Sequence, residues 1–204
     1  MAFSDYKSIS QVQKDFKVIY REENFLAAPD LQPSAAFQQE FEFSLANIDV
    51  YTSEASRAEA IIFPILREIY KSYYEKYSFW VQKALSYDEK LSGTPDYLIG
   101  TRSALGKTFL ETPLVVIAEA KKNDFEQGWG QCLAELIAAQ KLNGDARLVV
   151  YGIVTDGKLW EFGKLKEEVF TKNTESYTVD HLARLFGALN YIFQAATPPN
   201  GEHP

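Results

Sequence analysis

The chain has 204 residues, of which 46% are hydrophobic and 24% are charged, values that are typical of a single globular domain. No apolar run approaches the roughly 18 residues that a membrane-spanning helix needs, and a net charge of −7 argues against a surface coated with basic groups for nucleic acid. The N-terminus lacks the pattern of a signal peptide, and the single cysteine cannot form an internal disulfide. We therefore expect a cytoplasmic protein without a membrane partner. We predict one domain over residues 1–196, with an N-terminal extension over residues 1–50 and a disordered tail over residues 197–204.

The N-terminal extension contains one predicted helix and one predicted strand. Apolar residues recur at helical spacing over residues 8–18, which predicts a short helix. Residues 27–36 have the composition of a loop. The apolar residues within 37–48 alternate in part, so we interpret this segment as a strand.

A long helix is predicted from Ser53, where apolar residues begin to recur at intervals of three and four. Ser53 is a suitable cap, and Pro64 is expected to kink the helix without ending it. Glu59 falls within about 40° of the apolar stripe on a helical wheel, so it faces the core side. Because a buried carboxylate without a partner costs several kcal/mol, Glu59 either belongs to a polar site, pairs with an arginine or caps a loop.

Two predicted strands carry the charged residues that form the candidate site. Residues 114–121 run through four apolar residues into Glu119 and Lys121, which project to the same side because strand residues alternate faces. Residues 94–100 form a shorter strand that presents Asp96 at its start. If the two strands are neighbours, two carboxylates and one ammonium group share a pocket.

The segment before the Asp96 strand and the segment between the two site strands also have predicted structures. Residues 78–87 predict a strand, and the polar residues 101–112 are typical of a hairpin arm between the two site strands. Arg102 and Lys107 on this arm either contact a phosphate backbone or are ordinary solvated cations.

A helix is predicted directly after the second site strand. Asn123 and Glu126 resemble a capping box at its start. Gln131 lies on the flank of its apolar stripe, where it either reaches the end of the preceding strand or is a surface glutamine. Cys132 lies on the stripe itself and has no cationic neighbour in sequence, which favours a packed thiol over a nucleophile.

The C-terminal third predicts a hairpin and a helix. Residues 146–165 contain two apolar strands joined at Asp156-Gly157, which is a strong hairpin signal. Residues 169–170 are predicted to add an edge strand, and residues 178–193 have the apolar spacing of a final helix.

Two carboxylates at strand ends are suitable ligands for a hard divalent cation such as Mg²⁺, which prefers oxygen ligands and retains several waters. Zinc is disfavoured because no His or Cys lies near them in sequence. A lysine two residues beyond a ligand carboxylate can stabilise charge that develops on a phosphate. These groups are those of a metal-dependent phosphodiester hydrolase.

The order Pro95-Asp96 followed by Glu119-Ala120-Lys121 resembles the core motif of the restriction-endonuclease-like, or PD-(D/E)XK, nuclease superfamily. The Thr-Asp156-Gly157 hairpin is similar to that in the nuclease domain of type I restriction R subunits and in stand-alone bacterial relatives. The likeness covers roughly residues 53–165. It implies an α/β fold with a three-layer core, in which helices flank a mixed central sheet.

The resemblance also implies roles for individual residues. Asp96 and Glu119 match the metal ligands, with the carbonyl group of Ala120, and Lys121 matches the catalytic lysine. Glu59 matches the helical acid that bonds a metal-bound water, and Gln131 matches a glutamine found after the lysine in several branches.

The implied activity is hydrolysis of DNA with Mg²⁺, or with Mn²⁺ in its place, and a homodimer is compatible with the sequence. The alternative is a non-catalytic relative that uses the fold to bind a partner protein or nucleic acid. Retention of all three motif residues favours the nuclease, whereas the acidic net charge and the lack of a recognition module favour the alternative.

Overall fold

The structure is a computed structural model that describes residues 2–121 and 124–196. The predicted disordered tail over residues 197–204 and the predicted helix cap Asn123 lie outside the described residues. Asp124 caps the helix that follows, because its Oδ1 accepts a 2.9 Å hydrogen bond from the backbone N–H of Gln127.

Nearly all the described strands belong to one mixed sheet. The strands are β1 (Ile19–Glu23), β2 (Tyr77–Val81), β3 (Leu85–Ser86), β4 (Ser92–Gly93), β5 (Tyr97–Thr101), β6 (Glu111–Ala120), β7 (Val150–Thr155), β8 (Leu159–Lys166), β9 (Val169–Asn173) and β10 (Tyr177–Thr178). Within the described ranges, eight of them form a sheet in the order β1-β9-β8-β7-β6-β5-β2, with β10 beside β8, and β3 pairs with β4. The pairs β1–β9 and β6–β7 are parallel, and the other pairs are antiparallel. The predicted mixed central sheet is confirmed.

Helices cover both faces of this sheet. They are α1 (Ile9–Phe16), α2 (Ala35–Asn47), α3 (Glu54–Arg57), α4 (Phe63–Tyr70), α5 (Phe125–Asn143) and α6 (Leu182–Ala195). The apolar core on one face includes residues of α1 and α5, and the core on the other face includes residues of α2, α4 and α6. The protein is therefore an α/β protein whose mixed central sheet is flanked by helices. None of these helices, in the part of the chain that the structure describes, is long and apolar enough to cross a lipid bilayer.

The apolar run in β6 explains why this strand is central. Leu114 and Ile117 pack into the core beneath α5, whereas Val116 and Ala118 pack into the opposite core. A strand that is buried on both faces needs such a continuous apolar run. Because the parallel strands β6 and β7 cannot be joined by a tight turn, the chain between them forms the crossover helix α5.

The strand predicted over residues 37–48 is wrong, since most of this segment is helix α2. Phe37 and Phe41 are one helical turn apart, and their stacked rings, with centroids 5.4 Å apart, lie in the core. The Ser34 side chain caps the helix by accepting a 3.2 Å hydrogen bond from the backbone N–H of Phe37. The apolar residues that suggest alternation in sequence include this pair at helical spacing.

The long helix predicted from Ser53 forms as α3, a π-helical turn at Ala58–Ile62, and α4. Ser53 caps it as predicted, accepting a hydrogen bond from the backbone N–H of Ser56. Pro64 has no N–H for the usual bond four residues back. The preceding N–H, that of Phe63, bonds to the carbonyl of Ala58 five residues back, which widens the helix at this point.

Two other predicted strands have different limits or positions. The strand predicted over residues 78–87 ends at Val81, because the backbone of Gln82 turns to a positive φ of 47°. The strand that begins at Val169 is confirmed, but it is not at the sheet edge, since β1 from the N-terminal extension pairs alongside it. The hairpin predicted at Asp156-Gly157 is confirmed as β7 and β8.

Candidate functional site

The candidate site lies where β6 ends beside β5 and β7. The antiparallel register pairs Tyr97 with Ala118, so Asp96, one residue before β5, lies next to Glu119. Alternation along β6 places Ala118 and Ala120 in the core shared with α4 and α6, and thus turns Glu119 towards α5.

Backbone and side-chain contacts join Asp96, Glu119 and Lys121. The N–H of Ala120 donates to Asp96 Oδ2 at 2.9 Å, and the N–H of Asp96 lies 3.4 Å from Glu119 Oε2. Lys121 Nζ lies 3.2 Å from Glu119 Oε1. The structure therefore brings together the two carboxylates and the ammonium group named from the sequence. Glu119 is 1% exposed, whereas Asp96 is partly exposed and borders the solvent.

A glycine lets the site strand and α5 approach closely. A Cβ atom at Gly128 would lie 2.7 Å from Val154 Cγ1 and 3.1 Å from Lys121 Cγ. No ordinary side chain fits at such distances without displacing its neighbours. Gly128 thus leaves room for the Lys121 side chain between the end of β6 and the first turns of α5.

Helix α5 contributes two buried polar residues to the site. The side-chain amide of Gln131 donates a hydrogen bond to Glu119 Oε1 and another to Glu135 Oε1, the latter at 3.1 Å. Gln131 is buried, so its interpretation as a surface glutamine is wrong.

Glu135 is 0% exposed and is a site residue that sequence reasoning missed. The available signal is its position one helical turn after Gln131, which places both side chains on the same flank of the helix. The spacing cannot reveal burial, because other residues of the same flank, such as Gln127, are less buried.

Burial and like charge dominate the electrostatics of this cluster. Burial, followed by the charge of Asp96, raises the pKa of Glu119 from 4.5 to about 8, although Lys121 acts in the opposite direction. Burial and the nearby Glu119 carboxylate raise the pKa of Glu135 well above its ordinary value. Burial alone would lower the pKa of Lys121, but the charges of Glu119, Asp96 and Glu54 outweigh it and raise that pKa. Three acids thus share one partly buried ammonium group, an arrangement that favours a further cation.

The prediction that Glu59 faces the core is wrong, because Glu59 is exposed in the π-helical turn. Its wheel position assumes a regular α-helix, and the wider turn changes the direction of the side chain. Within the described residues Glu59 has no hydrogen bond or ion pair, so the arginine pairing does not occur there. Burial raises the pKa of Tyr97, and the charges of Asp96 and then of Glu59 raise it further.

A second helical acid, Glu54 in the first turn of α3, is also exposed, and its charge acts on Lys121. The sequence did not single it out, because it lies at the cap of the helix rather than on the apolar stripe. Two exposed acids on the α3–π segment therefore add negative potential near the site.

The carboxylates of Asp96 and Glu119 are oxygen donors of the kind that Mg²⁺ accepts. The described residues contain no group of three or more His, Cys, Asp or Glu side chains arranged to hold an ion. The resemblance found in the sequence assigns the carboxylates of Asp96 and Glu119 and the carbonyl of Ala120 to the metal. Magnesium commonly uses only one or two protein carboxylates, with water and substrate phosphate completing the octahedron. The donor set therefore fits Mg²⁺ provided that water and a phosphate supply the rest.

Of the remaining candidates from the sequence, Arg102 contacts the protein itself, Lys107 is exposed and Cys132 is packed in the core. Arg102 donates a 2.6 Å hydrogen bond to the carbonyl of Tyr74 and lies over its ring, so its guanidinium group is partly engaged by the protein itself. Lys107 is exposed in the loop between β5 and β6. Cys132 is fully buried, and burial raises the pKa of its thiol, as expected of a packed rather than a nucleophilic cysteine.

Comparison with known proteins adds no family to this description. No protein-family model matches the chain, and no curated protein is significantly similar to it. Its function therefore has to be inferred from the residues of the site.

Proposed function

We propose that this protein is a metal-dependent nuclease of the restriction-endonuclease-like fold that hydrolyses phosphodiester bonds in DNA. The observation that carries the proposal is that Glu119 contacts both Asp96 and Lys121 at the end of the central strand β6. Two hard oxygen donors beside a partly buried ammonium group suit a divalent cation and a phosphate together. The order of the elements, from the acid-bearing helix through β5, β6 and α5 to β7, also agrees with the resemblance found in the sequence.

Each residue has a role in this proposal. Asp96 and Glu119, with the Ala120 carbonyl, would hold Mg²⁺ or Mn²⁺, which when bound supplies Lewis-acid polarisation of the phosphate and lowers the pKa of water. Lys121 places its ammonium group, next to Glu119, where it can offset negative charge that develops on the phosphate oxygens. Glu59, which is exposed, is free to accept a hydrogen bond from water on the solvent side of the site.

The activity is tested by incubating the purified protein with DNA in the presence of Mg²⁺, Mn²⁺ or Ca²⁺. We expect cleavage with the first two ions and not with Ca²⁺. Lys121→Ala should lower the rate about 10²-fold or more, the usual effect of removing a group that stabilises transition-state charge. The matched control is Lys14→Ala, which removes an exposed lysine of helix α1 and should cleave like the wild type. Cleavage without metal, or equal cleavage by Lys121→Ala, would contradict the proposal.

The alternative, a non-catalytic protein that binds a partner protein or nucleic acid, makes a different prediction. Calorimetry should then detect no magnesium binding that depends on Asp96, and single-stranded, double-stranded and branched DNA should all remain intact. Magnesium binding by the wild type that is lost in Asp96→Ala favours the nuclease. Circular dichroism of each variant ensures that a loss of binding is not a loss of fold.

A further inference from the structure

The two carboxylates that flank the Gln131 side chain determine how its amide group is oriented. The Nε2 atom lies between Glu119 Oε1 and Glu135 Oε1 and donates to both. Because each of an amide nitrogen's two hydrogens can serve one acceptor, this arrangement uses both donors. Glu135 thus holds one hydrogen while the other is directed at Glu119.

Packing does not explain an acid at position 135. Glu135 is 0% exposed, and its Oε2 atom has no hydrogen-bond partner within the described part of the chain. The neighbouring helix positions on the same buried side include Cys132 and Leu136, so an apolar residue would suit the surroundings. A buried polar group costs free energy unless its hydrogen bonds compensate, and the bond that Glu135 does make is to Gln131.

We propose that Glu135 is a positioning residue that, through the amide group of Gln131, holds Glu119 in the orientation needed to bind a divalent metal. This inference rests on the proposed function, because it assigns Glu119 as a metal ligand. Without an acceptor at position 135 the Gln131 amide group is free to rotate, and Glu119 loses a fixed donor on Oε1. Hydrogen-bonding partners behind metal ligands contribute about 10–100-fold to metal affinity.

Calorimetric titration with Mg²⁺ tests the proposal without depending on turnover. Glu135→Leu removes the acceptor, and we expect metal affinity to fall about 10–100-fold. Glu135→Gln keeps an oxygen acceptor and nearly the same shape, so its affinity should stay within about twofold of the wild type. The control is Glu126→Leu, which removes an exposed glutamate from the same helix and should leave the affinity unchanged.

A double-mutant cycle separates positioning from a general structural effect. If Glu135 acts only through Gln131, then Glu135→Leu should cause no further loss of affinity in a Gln131→Met background. Additive losses, or a tenfold loss in Glu135→Gln, would overturn the inference, and the Glu135→Gln result decides the matter even if Glu135→Leu fails to fold. Unchanged affinity in a folded Glu135→Leu protein overturns this inference alone. An absence of magnesium binding by the wild type overturns the proposed function and this inference with it.

Discussion

The buried Glu119 carboxyl group makes the stability of the metal-free protein depend on pH in a direction that can be worked out. Its pKa rises from 4.5 to about 8 because of burial and then the charge of Asp96. The folded protein therefore retains a proton that the unfolded chain releases at lower pH. The resulting stabilisation is fully present below about pH 4.5 and is lost as the pH rises through about 8.

The magnitude follows from the size of the shift. Each pKa unit corresponds to about 1.4 kcal/mol, so the whole shift is on the order of 5 kcal/mol. Of this, roughly 3 kcal/mol is lost between pH 5 and pH 8. Little of the effect is screened by solvent, since Glu119 is 1% exposed.

Urea unfolding in the presence of a chelator measures this effect at pH 5 and at pH 8. The free energy of unfolding of the wild type should fall by about 3 kcal/mol more than that of Glu119→Gln, which cannot ionise at this position. Glu126→Gln, which neutralises an exposed glutamate of α5, should show the same pH dependence as the wild type. Equal pH dependence in Glu119→Gln and the wild type would refute the assignment of a buried carboxyl group with a raised pKa at the end of β6.

Three other measurements test separate parts of the structure. At about one hundred times its Kd, Mg²⁺ should raise the free energy of unfolding of the wild type by about 2.7 kcal/mol and that of Asp96→Ala by much less, as denaturant curves with and without the ion would show. Gly128→Ala places a Cβ 2.7 Å from Val154 Cγ1, so the free energy of unfolding, measured by thermal denaturation, should fall by about 1–3 kcal/mol. An unchanged melting temperature would contradict the close approach of α5 to the sheet. Ser34→Ala removes the side-chain cap of α2, so the free energy of unfolding should fall by about 1 kcal/mol in the same assay. A strand over residues 37–48 would predict no such loss.

Local patterns in the sequence correctly predicted the elements that a single physical requirement determines. The apolar run of β6 identified a buried strand because a strand covered on both faces must be apolar throughout. Asp156-Gly157 identified the hairpin because its turn needs a residue that tolerates a positive φ, and Gly157 has a φ of 86°. Alternation along the strand also predicted that Glu119 and Lys121 share a face, which the ion pair between them reflects.

The same patterns failed where two periodicities compete or the helix is irregular. Phe37 and Phe41 lie in the core at helical spacing, but together with the apolar residues that follow them they also suggested the alternation of a strand. Glu59 was placed on the core side by a wheel that assumes a regular helix, and the π-helical turn next to Pro64 changed that direction. A turn of this kind depends on how the flanking segments pack as well as on the proline.

Only the tertiary structure decided which polar residues are buried together. The sequence determined that Gln131 and Glu135 lie on one flank of a helix, because residues four apart in a helix always do. Whether that flank faces water or the end of β6 depends on where α5 crosses the sheet, which long-range packing sets. The close approach permitted by Gly128 brings this flank against the strand end, so that Gln131 reaches Glu119 and Glu135 becomes fully buried.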